Sequence, residues 1–405
     1  MFVKILKLSI FQGIRYLLPL LLTPYFARSL TQDEFGLIIF GLSLIAWLSL
    51  LGECGFSLSI TRKIAQNKCK AGYVSSVVSR VQGALVLSSL CTLLVTMSLV
   101  TFYPYAKGNE IFFVTCWLTA SLQAALPYWY FNGVERVVYP SVFDAIGYFV
   151  FVSVVILFKV HDPLSIIFVL LLVRLTILVC CNIEMYRKVA FIKINFTSSC
   201  KLILETKALL YSKIVTSTYT TFNPILLGMF VGPHIVGVFS SIDKIVRSSL
   251  AVLKPVVTAI YPRASSLFSK NINKAEEFVF FSGLFTILVG FIISIILFFG
   301  AENIIELYLG DKYFEYSNVL EIMAFIPFFI SLSNVIGVQY ILTQGRDVLF
   351  NIIVTSGAVF NIVLILCLVP DHGLLGIAYI TLIIEVYISI VMLFFGIRLK
   401  KRRGK

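Results

Sequence analysis

Charge is what this sequence has least of. Of its 405 residues only 13% are Asp, Glu, Lys or Arg, while 59% are hydrophobic and the mean hydropathy is +0.97. That balance lies outside the range of water-soluble domains. Long polar stretches are missing too. The longest runs roughly from Glu184 to Lys207, which leaves no room for a soluble catalytic domain. No Gly-x-x-x-x-Gly-Lys-Ser/Thr loop occurs, which excludes ATP drive within the chain. The three histidines give no metal-ligand spacing; His161-Asp162 and Asp371-His372 read as loop-edge pairs, and no metal or catalytic residue is expected. Six of the eight cysteines (Cys54, Cys91, Cys116, Cys180, Cys181, Cys367) fall in apolar runs and two (Cys69, Cys200) in basic segments, so no disulfide framework is indicated.

What is present is a series of apolar runs of about 20 residues, the length that crosses a bilayer core. Twelve are expected: 8–28, 35–58, 81–103, 111–131, 141–160, 164–183, 208–231, 235–261, 278–300, 319–343, 349–370 and 374–397. The fold class is therefore an all-α polytopic membrane protein. The first run contains Arg15 and lacks a small-residue cleavage site, so it reads as a retained span rather than a signal peptide.

A net charge of +13 points toward nucleic acid only until its distribution is examined. The bases gather in alternate loops and at both ends: Lys4 and Lys7, Arg62 to Lys70, Arg187 to Lys207, Arg263 to Lys274 and Arg398 to Lys405. Only Arg28, Lys107, Lys159 and Lys312 fall in the opposite loops, which hold most of the acids. This is the positive-inside pattern; it places both termini in the cytoplasm and excludes a nucleic-acid partner.

The two halves look alike. "YFARSLTQDEFGLIIF" and "LLGMFVGPHIVGVFSS" each end a span near a proline, turn briefly and restart at a glycine (Gly36, Gly237), offset by about 200 residues. Six plus six spans of like orientation predict two bundles, 1–183 and 208–405, related by a pseudo-two-fold axis along the membrane normal and joined by a cytoplasmic linker at 184–207. Tyr73 to Arg80 and Ala264 to Glu277 are expected as short amphipathic pieces along the membrane surface.

Ten charges fall at membrane depth, where each is costly and so faces water or a partner: Arg15, Glu53, Asp144, Arg174, Lys213, Asp243, Lys244, Arg247, Lys254 and Glu385. The densest set lies in "GVFSSIDKIVRSSLAVLKP". On one continuous helix Ser240, Asp243, Lys244, Arg247 and Lys254 share a face about 100° wide, with Ile242, Ile245, Leu253 and Val256 opposite. Either this face borders a water-filled cavity or Asp243 and Arg247 form a structural ion pair. With Arg15 and Lys213, it predicts a chamber of six bases against four acids, suited to an anionic substrate. Glu53, Asp144 and Glu385 are the candidates for proton or sodium coupling, with bundle ion pairs such as Glu385 with Arg174 as the competing reading.

The segments "PLLLTPYFARSLTQDEFGLIIFG" (Pro19 to Gly41), "WYFNGVER" (Trp129 to Arg136), "GVFSSIDKI" (Gly237 to Ile245), "AIYPRASSL" (Ala259 to Leu267) and "GLLGIAYITLIIE" (Gly373 to Glu385) give the chain, over nearly its whole length, a resemblance to the Wzx-type O-antigen and polysaccharide flippases of the multidrug/oligosaccharidyl-lipid/polysaccharide exporter superfamily. That resemblance implies a MATE-like pair of bundles around a V-shaped cavity. It implies flipping of undecaprenyl-pyrophosphate-linked repeat units across a bacterial inner membrane by alternating access, in lipopolysaccharide biosynthesis, rather than enzymatic activity. Arg15, Arg28, Arg174, Lys213, Asp243, Lys244, Arg247 and Lys254 would meet the substrate, Arg28 matching the family's post-proline arginine. Membrane lipids, an O-antigen polymerase and a chain-length regulator would be the partners. Two alternatives stay open. A multidrug exporter of the same superfamily would favour an acidic or aromatic chamber, and a membrane-embedded glycosyl or acyl transferase would need a clustered acid or histidine pair near one face.

Overall fold

The computed structural model describes residues 21–67 and 70–403, apart from the side chains of 71, 212, 219–220, 252, 254–256, 258–259 and 401–403. The described residues form helices and turns with no strand. Eight of their helical stretches are long and apolar enough to cross a membrane. The chain is a multi-pass, all-α membrane protein.

Contacts divide it into two compact units, Met1–Ser217 and Thr218–Lys405. The first unit holds α1 (21–29), α2 (Gln32–Gly52), α3 (Phe56–Gln66), α4 (Ala71–Phe102), α5 (Glu110–Ala125), α6 (Tyr128–Gly133), α7 (Val138–Leu157), α8 (Pro163–Tyr186) and most of α9 (Phe196–Thr220). The second holds α10 (Asn223–Val231), α11 (Pro233–Ser249), α12 (Lys254–Lys270), α13 (Ile272–Phe299), α14 (Ala301–Tyr308), α15 (Ser317–Met323) and α16 (Ile326–Ser333), followed by a π-helical stretch, Asn334–Ile341. It ends in a long hairpin, α17 (347–372) and α18 (374–403), that turns at Gly373 with φ 50° and ψ −122°. The order α2, α3, α4 recurs as α11, α12, α13 at an offset of about 200 residues, the interval seen in the sequence.

Local chemistry explains several boundaries. Thr31 accepts from the Glu34 N–H through its hydroxyl while Glu34 accepts from the Thr31 N–H at 3.0 Å, a capping box that starts α2. Asp162 caps α8 by accepting from the Ser165 N–H at 2.8 Å, with Pro163 in the first turn. Helices approach where side chains are small. A Cβ on Gly290 of α13 would stand 2.2 Å from Ser331 Oγ and 3.0 Å from the Pro327 carbonyl of α16.

Several expected spans are interrupted. The run 35–58 ends as a helix at Gly52 and restarts at Phe56 after Gly55, whose φ is 75°. The run 235–261 breaks after Ser249 into a 3₁₀ turn, Leu250–Val252, before α12 starts with a proline in its first turn. Proline has no N–H to continue the ladder and disfavours helical geometry in the residue before it. The run 208–231 breaks in the same way ahead of Pro224.

The expected surface piece Tyr73–Arg80 is instead the first turns of α4. Its valines, Val74, Val77 and Val78, are buried with Ile60, Ile64, Trp129 and Phe131 in the core of the first unit. The second such piece, Ala264–Glu277, is shared between α12 and α13, which meet at Asn271. The polar segment 184–207 is not wholly a linker, because α9 begins at Phe196. This helix is tied to the first unit by a Lys63 Nζ–Glu205 contact of 2.5 Å and by Ser199, which lies against Gly83. The unit boundary consequently falls inside α9 rather than at 207.

"WYFNGVER" is a packing junction. Thr61 of α3 donates to the Trp129 carbonyl at 3.1 Å, and Gly133 lies against Ile64 closely enough that a Cβ would clash at 2.7 Å. Arg136 then reaches Glu184 of α8 at 3.3 Å.

Candidate functional site

Helix α11 is amphipathic within an apolar chain. Val236, Val238, Phe239, Ile242 and Val246 are buried against the rest of the second unit, while Ser240, Asp243, Lys244 and Arg247 share the other face at the spacing the sequence predicts. Arg247 Nε donates to both Asp243 oxygens, at 2.9 and 2.8 Å. Asp N-terminal to Arg at i,i+4 is the favourable order on a helix. Glu385 of α18 is buried, at 6% exposure, and lies within electrostatic range of Arg247 and Asp243. Lys244 stands half-buried one residue from Asp243. Arg247 and two carboxylates, Asp243 and Glu385, thus meet at one level of the second unit.

Lys254 was expected on the same face. The break at Leu250–Val252 interrupts the continuous helix on which that register was reckoned, and the Lys254 side chain lies outside the described set. Arg15 lies outside the described residues as well.

The other intramembrane charges belong to the first unit, where they are paired. Arg174 and Asp144, 2% and 1% exposed, form an ion pair of 2.9 Å between α8 and α7. Arg174 also donates to the Tyr148 hydroxyl at 2.6 Å and lies over that ring, and Tyr128 donates to Asp144. The partner of Arg174 is therefore Asp144 and not Glu385. Lys213 of α9 donates to Glu53 at 2.9 Å and to the Ser57 hydroxyl at 2.8 Å, and Glu53 accepts from the Ser57 N–H at 2.8 Å. Arg28 is exposed beside the α1–α2 turn.

Among these bases Arg174, Lys213 and Arg247 each pair with an acid, at 2.9, 2.9 and 2.8 Å. No cluster of His, Cys, Asp and Glu able to hold a metal occurs among the described residues.

Two buried amides, Asn361 and Gln339, escaped the sequence reading. Asn361 of α17 donates to the Asn223 side chain at 2.8 Å, both fully buried. Gln339 sits in the π-helical stretch at 0% exposure, and neither atom of its amide has a hydrogen-bond partner among the described residues. Each is a lone amide within an apolar run, a signal that a search for charges passes over.

Residues 3–268 match the polysaccharide biosynthesis protein family. The chain belongs to that family. It is 26% identical over 401 residues to the "Putative O-antigen transporter" of Escherichia coli (strain K12), covering 97% of this chain and 95% of that one. A protein of the same description from Shigella dysenteriae is 27% identical, with 96% and 98% covered. These relatives are described as transporters and not as enzymes. Among solved structures, the fold is similar to that of the lipid II flippase MurJ in its inward closed conformation, with a TM-score of 0.78 and 15% identity over 96% of this chain and 86% of that one. An inward-facing MATE family multidrug transporter of the MOP superfamily gives a TM-score of 0.73 at 13% identity, with 99% of each chain covered. As a member of that family, the chain is a membrane protein of polysaccharide biosynthesis, and its fold is like those of these two solved structures.

Proposed function

We propose that this protein flips a lipid-linked oligosaccharide, an O-antigen repeat unit on undecaprenyl pyrophosphate, from the cytoplasmic to the periplasmic leaflet of a bacterial inner membrane. The observation that supports the reading is the α11 face, where Lys244 and Arg247 share one side of the helix and Arg247 has Asp243 and Glu385 as counter-charges. The whole-length similarity to proteins described as O-antigen transporters supports the same class of substrate.

A pyrophosphate is a multiply charged anion that accepts hydrogen bonds from guanidinium and ammonium groups better than a single carboxylate does. It would take over Arg247 from its carboxylates and bind Lys244 on the same face while the polyprenyl chain stays in the bilayer. The displaced Asp243 and Glu385 would then bind a proton or sodium ion, which couples substrate arrival to a gradient. Glu385 is the coupling residue of choice, since it lies near Arg247 from a different helix. The distribution of bases supports an orientation with both termini cytoplasmic. A polymerase and a chain-length regulator would then act on the delivered units at the periplasmic face.

Deleting the gene and complementing it at matched membrane expression tests the reading. Loss of surface polysaccharide, with lipid-linked single units accumulating, is expected, and so is rescue by the wild type but not by Lys244→Ala or Arg247→Ala. Full-length surface glycan in the deletion strain together with raised drug sensitivity would instead identify a multidrug exporter.

A further inference from the structure

In the second unit, the end of the α17–α18 hairpin away from Gly373 carries a basic cavity that the transport reading does not use. The chain turns at Gly345, φ 70°, and enters α17 directly after Arg346. Arg398 lies on α18 about as many residues from Gly373 as Arg346 does on the other side, so the hairpin brings both to one level. Between them is a cavity of about 250 Å³ lined by Arg346, Leu349, Phe395, Arg398 and Leu399.

Both charged residues of this lining are arginines, both are exposed, and neither guanidinium has a hydrogen-bond or ion-pair partner among the described residues. Nearby Lys400 is turned to another task, reaching Glu276 of α13 at 3.7 Å. Beside the cavity, Val348 and Ile352 on α17 and Phe394 and Ile397 on α18 are exposed large apolar residues, the surface a spanning helix shows to acyl chains. The volume is below that of a drug-sized pocket and suits a headgroup.

We infer that this cavity binds an anionic membrane phospholipid, its phosphodiester held between Arg346 and Arg398 and its acyl chains lying along α17 and α18. Two guanidiniums offer the planar donor forks that phosphate oxygens take in pairs. Basic pockets between spanning helices are a recurrent place for such headgroups. Selectivity for an anionic lipid follows from charge: a zwitterionic headgroup would bring its own ammonium up to two unpaired guanidiniums. The inference is independent of what the protein transports.

Titrating the purified full-length protein in neutral detergent with phosphatidylglycerol, phosphatidylcholine or undecaprenyl phosphate, with the thermal unfolding midpoint as readout, tests it. Phosphatidylglycerol is expected to raise the midpoint saturably and phosphatidylcholine to leave it unchanged. Half-saturation should shift about fivefold for each arginine removed in Arg346→Ala and Arg398→Ala. Arg346→Lys and Arg398→Lys, which keep the charge, should lie between wild type and the alanines. Leu349→Trp, which fills the cavity without touching charge, should abolish the saturable phase.

An equal response to the two phospholipids would overturn the inference. So would alanine and tryptophan variants that titrate like the wild type, or a response to undecaprenyl phosphate alone, which would assign the cavity to the transported carrier.

Discussion

Arg174 and Asp144 meet at 2.9 Å between α8 and α7 with almost no exposed surface on either side chain. Neither can be removed alone without stranding a buried charge, a loss that costs about 3–5 kcal/mol. Arg174→Leu and Asp144→Leu should each lower the unfolding midpoint sharply and reduce the amount of folded protein in membranes. The double variant Asp144→Leu/Arg174→Leu should recover most of the loss, because paired apolar replacement is close to neutral. Single variants as stable as the wild type would show that the pair does not hold the first unit together.

A different balance holds at Gln339. Its buried amide lacks partners among the described residues, and leaving a polar group so placed costs about 1–3 kcal/mol. Gln339→Met keeps the side chain's length and drops the amide, so it should raise the unfolding midpoint in detergent. A lower midpoint would mean that the amide is satisfied in the folded protein.

Gly290 is set by space. A Cβ there meets Ser331 Oγ at 2.2 Å, and overpacking of this kind costs about 1–3 kcal/mol. Gly290→Ala should destabilise, and Ser331→Ala should rescue it in part, since the Ser331 Cβ and the Pro327 carbonyl remain close at 2.7 and 3.0 Å. Undiminished stability of Gly290→Ala would refute this close contact of α13 and α16.

On α11, Arg247 holds Asp243 through Nε. Charge-assisted bonds are worth about 1.5–3 kcal/mol, so Arg247→Ala and Lys244→Ala should each lower the transport rate roughly tenfold to a hundredfold at equal protein amounts, with smaller changes in unfolding midpoint. Arg247→Lys keeps charge but loses the fork and should fall between. Transport that tracks stability alone in all three would make this face structural.

The sequence made the membrane architecture legible because an apolar run of spanning length has few other uses, and the recurring interval of about 200 residues was readable for the same reason. The breaks were harder. Leu250-Ala-Val-Leu253 interrupts a helix without interrupting hydropathy, so only the following proline betrays it. Pairing followed the same division. Asp243 and Arg247 are four residues apart on one helix, and their contact was readable from period alone. Arg174 and Asp144 are 30 residues apart, and nothing but the packing of α7 on α8 could choose between Asp144 and Glu385. Gln339 and Asn361 were passed over because they carry no charge, although in hydrocarbon an amide is nearly as conspicuous.

The most direct measurement is leaflet transfer in purified proteoliposomes. Undecaprenyl-pyrophosphate-linked oligosaccharide would be placed in one leaflet, and its arrival in the other followed by the accessibility of the glycan to an added glycosidase. Wild-type protein should transfer it far faster than protein-free vesicles, and Lys244→Ala/Arg247→Ala protein should match the protein-free rate. Wild-type transfer no faster than in protein-free vesicles, with or without a proton or sodium gradient, would contradict the flippase reading.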